Sequence, residues 1–287
     1  MLKWNLVVVL LVLLKVHDYQ GCSSSKKENL LTPRDYDLNN PEVIQLPSQL
    51  NEISGISYYP KDSSVFAIVD EDGLLFKIHL RNPPDVKFWR FDKKHDFEDV
   101  VLHDSIFYVL ISNGDIETLR FSNDTVHTNK KIFENADKKT NEFETLYFDD
   151  KYNQLVMLCK DCEDDKKKIV TAWGFNPDSA VYTPSLFSID VKPVAEKTKE
   201  EKLHLKPSAA AVNPVNGDVY ILASVNKLLL ISDRSGKVKE VFELDPSVYK
   251  QPEGITFTPT GDMIISNESH EEGNATLLFI KHKPKDK

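Results

Sequence analysis

The chain alternates between short apolar runs and polar turns, and five of the runs open with a similar segment. These segments are Ile53–Ser57, Phe97–Val101, Phe143–Tyr147, Pro207–Ala211 and Pro252–Thr256. Their second positions are Ser54, Glu98, Glu144, Ser208 and Glu253, which are 44, 46, 64 and 45 residues apart. An internal period of this length is typical of the blades of a β-propeller.

Each opening segment is followed by a turn and by a second apolar strand that ends in polar residues. In the fourth repeat the turn is Asn213–Gly217 and the second strand begins at Tyr220. Pro, Asn and Gly supply the backbone angles of such turns and interrupt strand pairing. A third strand and a weaker fourth strand follow in most repeats, so each repeat reads as one four-stranded blade.

This pattern predicts an all-β fold, a five-bladed β-propeller, over residues 41–287. The fifth repeat lacks a fourth strand, and an unassigned strand, Glu42–Leu46, precedes the first repeat. Pairing of that N-terminal strand with the last blade closes the ring and removes two open sheet edges. The 64-residue interval leaves two alternatives. It holds either an enlarged third blade, with Lys192–Lys206 as a charged loop, or a sixth blade.

The first 22 residues have the character of a secretion signal. Lys3 precedes an apolar run, Leu6–Leu14, which is too short to span a bilayer but suits a signal peptide. Gly21 and Cys22, followed by serines, resemble the lipobox of bacterial lipoproteins. We therefore expect a signal peptide with a lipobox at 1–22, a lipid on Cys22 and a flexible tether at 23–40. A plain secretory signal with an incidental cysteine and an uncleaved anchor remain as alternatives.

A lipid anchor of this kind predicts a position in the bacterial cell envelope, at the outer membrane or the periplasmic face, with the membrane as a partner. The net charge of −9 and the pI of about 5.4 argue against a nucleic-acid partner. Cys159 and Cys162 have the spacing of a redox pair, of half a zinc site or of an incidental disulfide. No second cysteine pair completes a zinc set in the sequence.

The two innermost strands of a propeller blade form a hairpin, so the start of one and the end of the other meet at the same mouth of the central channel. The second positions of the five repeats should therefore form one ring. The three carboxylates of this ring are predicted metal ligands: Glu98, Glu144 and Glu253. Polar residues around them are predicted to contact a ligand: Ser54, Glu71, Lys160, Ser208, Asn267 and Glu268.

Three carboxylates around a narrow channel require either a cation or raised pKa values. Calcium, held by carboxylate and amide oxygens, is one solution and is the predicted cofactor. In the other, each Glu accepts hydrogen bonds from backbone N–H groups of the next blade and has a structural role. Lys160 interrupts the acidic mouth, where it could pair with a carboxylate or favour an anionic ligand.

Several of these segments also match a family pattern in order and spacing. They are Glu52–Ser57, Val69–Gly73, Asn141–Leu146, Lys206–Ala210, Gln251–Thr256 and Ile265–Glu268. Together they resemble the SdiA-regulated family of exported bacterial proteins. The resemblance implies a β-propeller in the cell envelope and implies no particular activity. Asp99 and Thr145 stand where the family pattern has glycine, and we expect their side chains to narrow the channel wall.

Two functions are compatible with these features. The first is an envelope-anchored lipoprotein with a binding or scaffold role toward an unknown small molecule or protein, with calcium at the channel mouth. The alternative is a metal-dependent hydrolase of lactones or phosphate esters, in which Glu71 or Glu268 acts as the base. The sequence has no Gly-x-Ser-x-Gly element, which favours the non-enzymatic function.

Overall fold

A computed structural model of the chain describes residues 29–81, 83–134, 139–269 and 273–284. It begins with β1 (Glu42–Gln45) and continues with the first blade, which comprises β2 (Ile53–Tyr59), β3 (Ser64–Val69), β4 (Asp72–His79) and β5 (Asp85–Lys94). The second blade comprises β6 (Phe97–His103), β7 (Ile106–Ile111), β8 (Ile116–Ser122) and β9 (Thr125–Lys131). The third comprises β10 (Asn141–Asp149), β11 (Gln154–Cys162), β12 (Ile169–Asn176) and β13 (Val181–Asp190).

The fourth and fifth blades complete the ring. The fourth blade comprises β14 (Ala209–Val212), β15 (Val219–Ala223), β16 (Leu228–Ser232) and β17 (Val238–Glu243). The fifth comprises β18 (Pro252–Phe257), β19 (Met263–Asn267) and β20 (Thr276–Ile280) together with β1. The innermost strands contact one another in the cyclic order β2, β6, β10, β14, β18 and β2. The predicted five-bladed propeller is confirmed.

Closure of the ring depends on the N-terminal strand. β1 pairs antiparallel with β20, with Glu42 opposite Phe279 and Gln45 opposite Thr276. It therefore supplies the fourth strand that the fifth repeat lacks. Because β1 and β20 come from opposite ends of the propeller and pair in one sheet, the fifth blade has its full four strands. This closure was predicted from the unassigned strand that precedes the first repeat.

The long interval between the third and fourth repeats belongs to an enlarged third blade and a following helix. α1 (Lys192–Thr198) comes directly after β13, and the described residues contain no sixth sheet. The predicted charged loop at Lys192–Lys206 is therefore wrong in part. Val194, Leu203 and Leu205 are buried in the core between the third and fourth blades, because their side chains cover apolar strand surface.

The core consists of apolar layers between neighbouring sheets. Inner strands are covered on both faces, so β15 is buried at each of its residues, Val219–Ala223. Outer strands are more exposed, as in β17, where Phe242 is the one buried residue of Val238–Glu243. This difference explains why the inner strands read as continuous apolar runs and the outer strands as weak ones.

The segment before β1 is partly docked on the propeller. Residues 1–28, including the predicted signal peptide and Cys22, lie outside the described residues. The predicted tether at 23–40 is too long, because Tyr36 and Leu38 are each only 4% exposed, within the core of the fourth and fifth blades. The Tyr36 hydroxyl donates to the Gly261 carbonyl at 2.7 Å and accepts from Asn213 Nδ2 at 2.7 Å.

Among the described residues, no helix has the length and apolar character needed to cross a bilayer.

Candidate functional site: the mouths of the central channel

The inner hairpin of each blade connects the two mouths of the channel. In the fifth blade, Pro252 pairs with Asn267 at one mouth and Phe257 pairs with Met263 near the turn at the other. In the second blade, Phe97 pairs with Ile111 at the first of these mouths. The polar ends predicted from the repeat therefore lie at one mouth, and the hairpin turns lie at the opposite one.

The two serines of the predicted ring have partners in neighbouring blades. Ser54 Oγ donates to the backbone carbonyl of Glu98, and Ser208 Oγ donates to that of Pro252 at 2.8 Å. Both residues are buried. Ser266 Oγ makes a third such bond, to the Ser54 carbonyl at 2.8 Å. These hydroxyls join one blade to the next, so the single O–H donor of each serine is committed to the fold rather than to the channel.

Four carboxyl groups from three blades crowd the first mouth, which we call the acidic mouth: Asp70, Asp96, Glu98 and Glu253. Burial raises the pKa of Glu98 to about 9, and the charge of Asp96 adds to this. Burial and a hydrogen bond with Asp96 raise the pKa of Asp70 to about 7. Burial, with repulsion from Glu268, raises the pKa of Glu253 to about 7. The mouth therefore retains protons near neutral pH because its negative charge is incompletely compensated.

Lys160 supplies positive charge at this mouth. Its Nζ lies 2.8 Å from Glu142 and also contacts the carboxylate of Glu144. The same charge opposes the rise in pKa of Glu98 and Glu253. Glu144 therefore has a partner within its own blade, whereas Glu98 and Glu253 feel Lys160 only from a distance. The sequence left open whether Lys160 pairs with a carboxylate or favours an anionic ligand. In the structure it pairs with carboxylates of its own blade.

The three predicted metal ligands do not form a compact set. Within the described residues, no three carboxylate oxygens of Glu98, Glu144 and Glu253 lie within 4.8 Å of one another. A cation bound by all three would require their side chains to move and Lys160 to leave Glu144. The donors at this mouth are nevertheless carboxylate oxygens, which suit a hard cation such as calcium.

The remaining predicted ligand contacts divide into two groups. Glu71 is exposed, and its carboxylate, 61% exposed, pairs with Lys94 Nζ at 2.8 Å. Glu268 is half-buried and lies close enough to raise the pKa of both Asp70 and Glu253. Asn267 is buried and donates from Nδ2 to the Val248 carbonyl at 2.7 Å. Its Oδ1 has no partner among the described residues.

Two residues of the acidic mouth, Asp70 and Asp96, were not among the predicted metal ligands or ligand contacts. Asp70 is adjacent to Glu71, and the alternation of a strand could not tell which of the two side chains faces the channel. Asp96 precedes the opening segment of the second blade, outside the aligned positions. It could have been found only by asking which acidic residues flank each opening segment.

The expectation that Asp99 narrows the channel wall is wrong. Its side chain is buried, as is that of Thr145. Asp99 accepts hydrogen bonds at 2.8 Å from the N–H groups of Val100 and Leu146. Gly55 of the first blade faces it so closely that a Cβ there would lie 2.2 Å from Asp99 Oδ1. The Asp99 side chain therefore lies between neighbouring blades and not in the channel.

The opposite mouth has a different character. It opens into a cavity of about 440 Å³ lined by the ends of all five innermost strands and their turns. Its walls are mostly apolar and include Ile56, Leu102, Leu146 and Phe257. We call this end the apolar mouth.

The two cysteines of the third blade form a disulfide within β11. Of the alternatives that the spacing allows, the structure shows this one. Asp165 lies beside the pair, with ligand atoms of all three residues within 4.8 Å of one another. Its carboxylate accepts from both the backbone N–H and the hydroxyl of Thr171, at 2.9 and 2.5 Å.

The sequence as a whole matches one family. The profile of the family described as SdiA-regulated aligns with residues 31–270. The chain belongs to the SdiA-regulated family. The match covers the docked N-terminal segment, the first four blades and most of the fifth, so the resemblance seen in the blade openings extends through nearly all of the propeller of this SdiA-regulated protein. No curated protein matches the chain.

Solved structures share the fold of this SdiA-regulated protein at low sequence identity. A glutaminyl cyclase from Myxococcus xanthus superposes with a TM-score of 0.58 at 14% identity, covering 85% of this chain and 96% of the cyclase. A Thermus thermophilus protein described as a glucose dehydrogenase gives a TM-score of 0.51 at 10% identity, covering 84% and 100%. At these identities the likeness is one of fold alone.

Proposed function

We propose that this SdiA-regulated protein is a non-enzymatic binding protein of the bacterial cell envelope, anchored by a lipid on Cys22, whose acidic mouth binds calcium. The observation that carries the proposal is the raised pKa of Asp70, Glu98 and Glu253, three half-buried carboxyls gathered from separate blades. A cation would replace the protons that these groups hold and would supply the missing positive charge.

The proposed ligands differ from the ring predicted from the sequence. Asp70, Asp96, Glu98 and Glu253 are the donors we assign, because Lys160 engages Glu144. Since no three acidic oxygens at this mouth lie within 4.8 Å of one another among the described residues, binding would draw the side chains inward. Carboxylates on strand ends can make such movements by rotamer changes, while the backbone of the blades stays in place.

The docked N-terminal segment supports one orientation toward the membrane. Tyr36 bonds to Gly261 in the turn between β18 and β19, which lies on the face of the apolar mouth. A lipid on Cys22 is therefore connected to the chain on that face. We infer that the acidic mouth is turned away from the membrane, where soluble ions and ligands reach it.

The calcium proposal is tested by thermal unfolding and calorimetry of the full chain with and without millimolar calcium. Calcium should raise the melting temperature, because a ligand that binds only the folded state stabilises it by RT ln(1 + [L]/Kd). Proton release should accompany binding at pH 7, measured as a dependence of the binding enthalpy on the buffer. Glu98→Gln combined with Glu253→Gln should abolish both effects.

Glu71→Gln is the matched control, because this exposed carboxylate is already paired with Lys94, and its loss should leave calcium binding unchanged. Lys160→Met should tighten calcium binding by removing a competing positive charge. An unchanged melting temperature in calcium, with no metal retained by the purified protein, would falsify the calcium site.

The lipid anchor is tested separately from the metal. Cys22→Ser should abolish incorporation of labelled palmitate in bacterial cells and move the protein from the membrane fraction to the soluble fraction. Ser23→Ala, next to the modified position, should leave both unchanged. Palmitate labelling that persists in the Cys22 variant would contradict anchoring through this residue.

One observation favours a second function, hydrolysis of lactones or phosphate esters. Asp70 shares a hydrogen bond with Asp96 and has its pKa raised to about 7, the range suited to a general base or acid. In this alternative Asp70, rather than Glu71 or Glu268, is the base. Lactone and phosphate-ester panels, with and without calcium, test it, and turnover should be lost in Asp70→Asn. Absence of turnover on both panels contradicts a hydrolase.

A further inference from the structure

A second concave site lies beside the apolar mouth, between the first and second blades. It encloses about 610 Å³, well within the range of small-molecule sites. Its floor is made by five aromatic side chains, which we call the aromatic groove: Tyr59, Phe66, Trp89, Phe107 and Phe121. The groove shares Tyr58, Pro60 and Leu102 with the apolar mouth, so the two cavities adjoin.

The rings of the groove form one connected cluster. Phe66 stands at its centre, with ring centroids 4.5 Å from Phe107, 5.4 Å from Tyr59 and 6.4 Å from Trp89. Trp89 and Phe121 are 5.0 Å apart in an edge-to-face arrangement. Phe66 and Phe107 are buried, whereas Phe121 is 36% exposed and Trp89 is half-buried. The buried rings hold the outer ones in place, which gives a rigid surface.

Two lysines lie over outer rings of the groove. Lys77 Nζ lies over the ring of Tyr59 at 4.9 Å, and Lys87 Nζ lies over Trp89 at 4.6 Å. The Lys87 side chain is 57% exposed and can swing away from Trp89. The Lys77 side chain is 18% exposed and is paired with Asp62, so it stays beside Tyr59. A ring face that attracts ammonium groups also attracts the electropositive C–H groups of a sugar.

The polar rim carries balanced charge. Among the residues that line the groove, Lys61 and Lys77 are opposed by Asp104 and Asp124, and Ser105 adds a hydroxyl. A strongly charged ligand would gain nothing from this neutral rim, and an acyl chain would desolvate it without replacing its hydrogen bonds. A ligand with apolar C–H faces and a periphery of hydroxyl groups satisfies both the aromatic floor and the mixed rim.

We propose that the aromatic groove binds a neutral oligosaccharide, whose sugar rings stack on Trp89 and Phe121 and whose hydroxyl groups bond to the charged rim. The adjoining apolar mouth allows an elongated ligand rather than a single sugar unit. This site is separate from the acidic mouth and does not depend on calcium. It therefore adds a second binding function to the propeller.

The test is calorimetric titration of the full chain with cellotetraose, chitotetraose and maltotetraose in the presence of EDTA. At least one of these sugars should bind saturably. Trp89→Ala and Phe121→Ala should each weaken that binding about tenfold or more, as loss of an aromatic anchor does. Persistence of binding in EDTA separates this site from the proposed calcium site.

Phe88→Ala is the control, because Phe88 is an exposed aromatic residue on the same strand as Trp89, is 53% exposed, and does not line the groove. It should bind sugar like the unmodified chain. Circular dichroism verifies that each variant is folded, and Phe121→Ala preserves the test if Trp89→Ala unfolds. The proposal is overturned if no tetrasaccharide binds or if both groove variants bind normally.

Discussion

The carboxylate of Asp99 in the second blade accepts a 2.8 Å hydrogen bond from the backbone N–H of Leu146 in the third. Asp99 is 4% exposed, and burial raises its pKa well above the usual range while the two backbone donors oppose that rise. Serine hydroxyls make the corresponding links between other blades, through Ser54, Ser208 and Ser266. Polar residues near the blade openings thus serve mainly to join the blades.

Removing this link should destabilise the propeller. Asp99→Ala leaves the buried N–H of Leu146 without an acceptor, which we expect to cost about 1–3 kcal/mol of unfolding free energy. Urea denaturation of the variant measures the change. Asp178→Ala, on an exposed turn of the third blade, is the control and should alter stability by less than about 0.5 kcal/mol. Equal stability of the two variants would contradict the role assigned to Asp99.

The acidic mouth should make stability depend on pH. The pKa values of Asp70 and Glu253 in the folded protein are about 7, and that of Glu98 is about 9. All three lie above the values of free side chains, near 4. The folded state therefore binds more protons than the unfolded chain between about pH 4 and 9, and stability falls as pH rises through that window.

Melting temperatures measured without calcium at intervals across this window check the expectation. Glu98→Gln should flatten the decline between about pH 8 and 9, where Asp70 and Glu253 have lost most of their protons and Glu98 is still losing its own. Glu71→Gln, a change at an exposed and paired carboxylate, should leave the slope as it is. A melting temperature that rises with pH above neutrality would show that the carboxyls are compensated in a way that the structure lacks.

The docked N-terminal segment should contribute to stability. Tyr36→Phe removes a hydroxyl that bonds to Gly261 and Asn213 within the core, with an expected loss of about 1–3 kcal/mol. The matched control is Leu31→Ala, five residues earlier, where the side chain is 85% exposed. Chemical denaturation of both variants decides whether residues near Tyr36 belong to the folded unit or to a free tether.

The Cys159–Cys162 disulfide should be present in the purified protein and should add little stability. It closes a loop with a sequence separation of 3, for which the chain-entropy relation gives about 2 kcal/mol at most. Thiol titration of denatured, unreduced Cys22→Ser protein should find no free thiol, and reduction should expose both. Two free thiols before reduction would contradict the disulfide.

Repeat spacing and strand patterning were enough to predict the number of blades, the closure by β1 and the mouth at which the polar ends gather. These features depend on which residues are apolar and how far apart they lie, and both are properties of the linear chain. Alternation along a strand also predicted that Glu98 and Glu253 would share a mouth with Ser54 and Ser208, because hairpin geometry fixes that relation.

Side-chain direction and partner choice were decided by the tertiary structure. Whether Asp70 or Glu71 faces the channel depends on the register and twist of β3, and whether Glu144 is free depends on the reach of Lys160 across its own blade. The aromatic groove joins β2–β5 with β6–β8, whose rings have no common spacing in the sequence. Only the packing of one blade against the next brings these residues together, because they are far apart in the sequence and follow no common spacing.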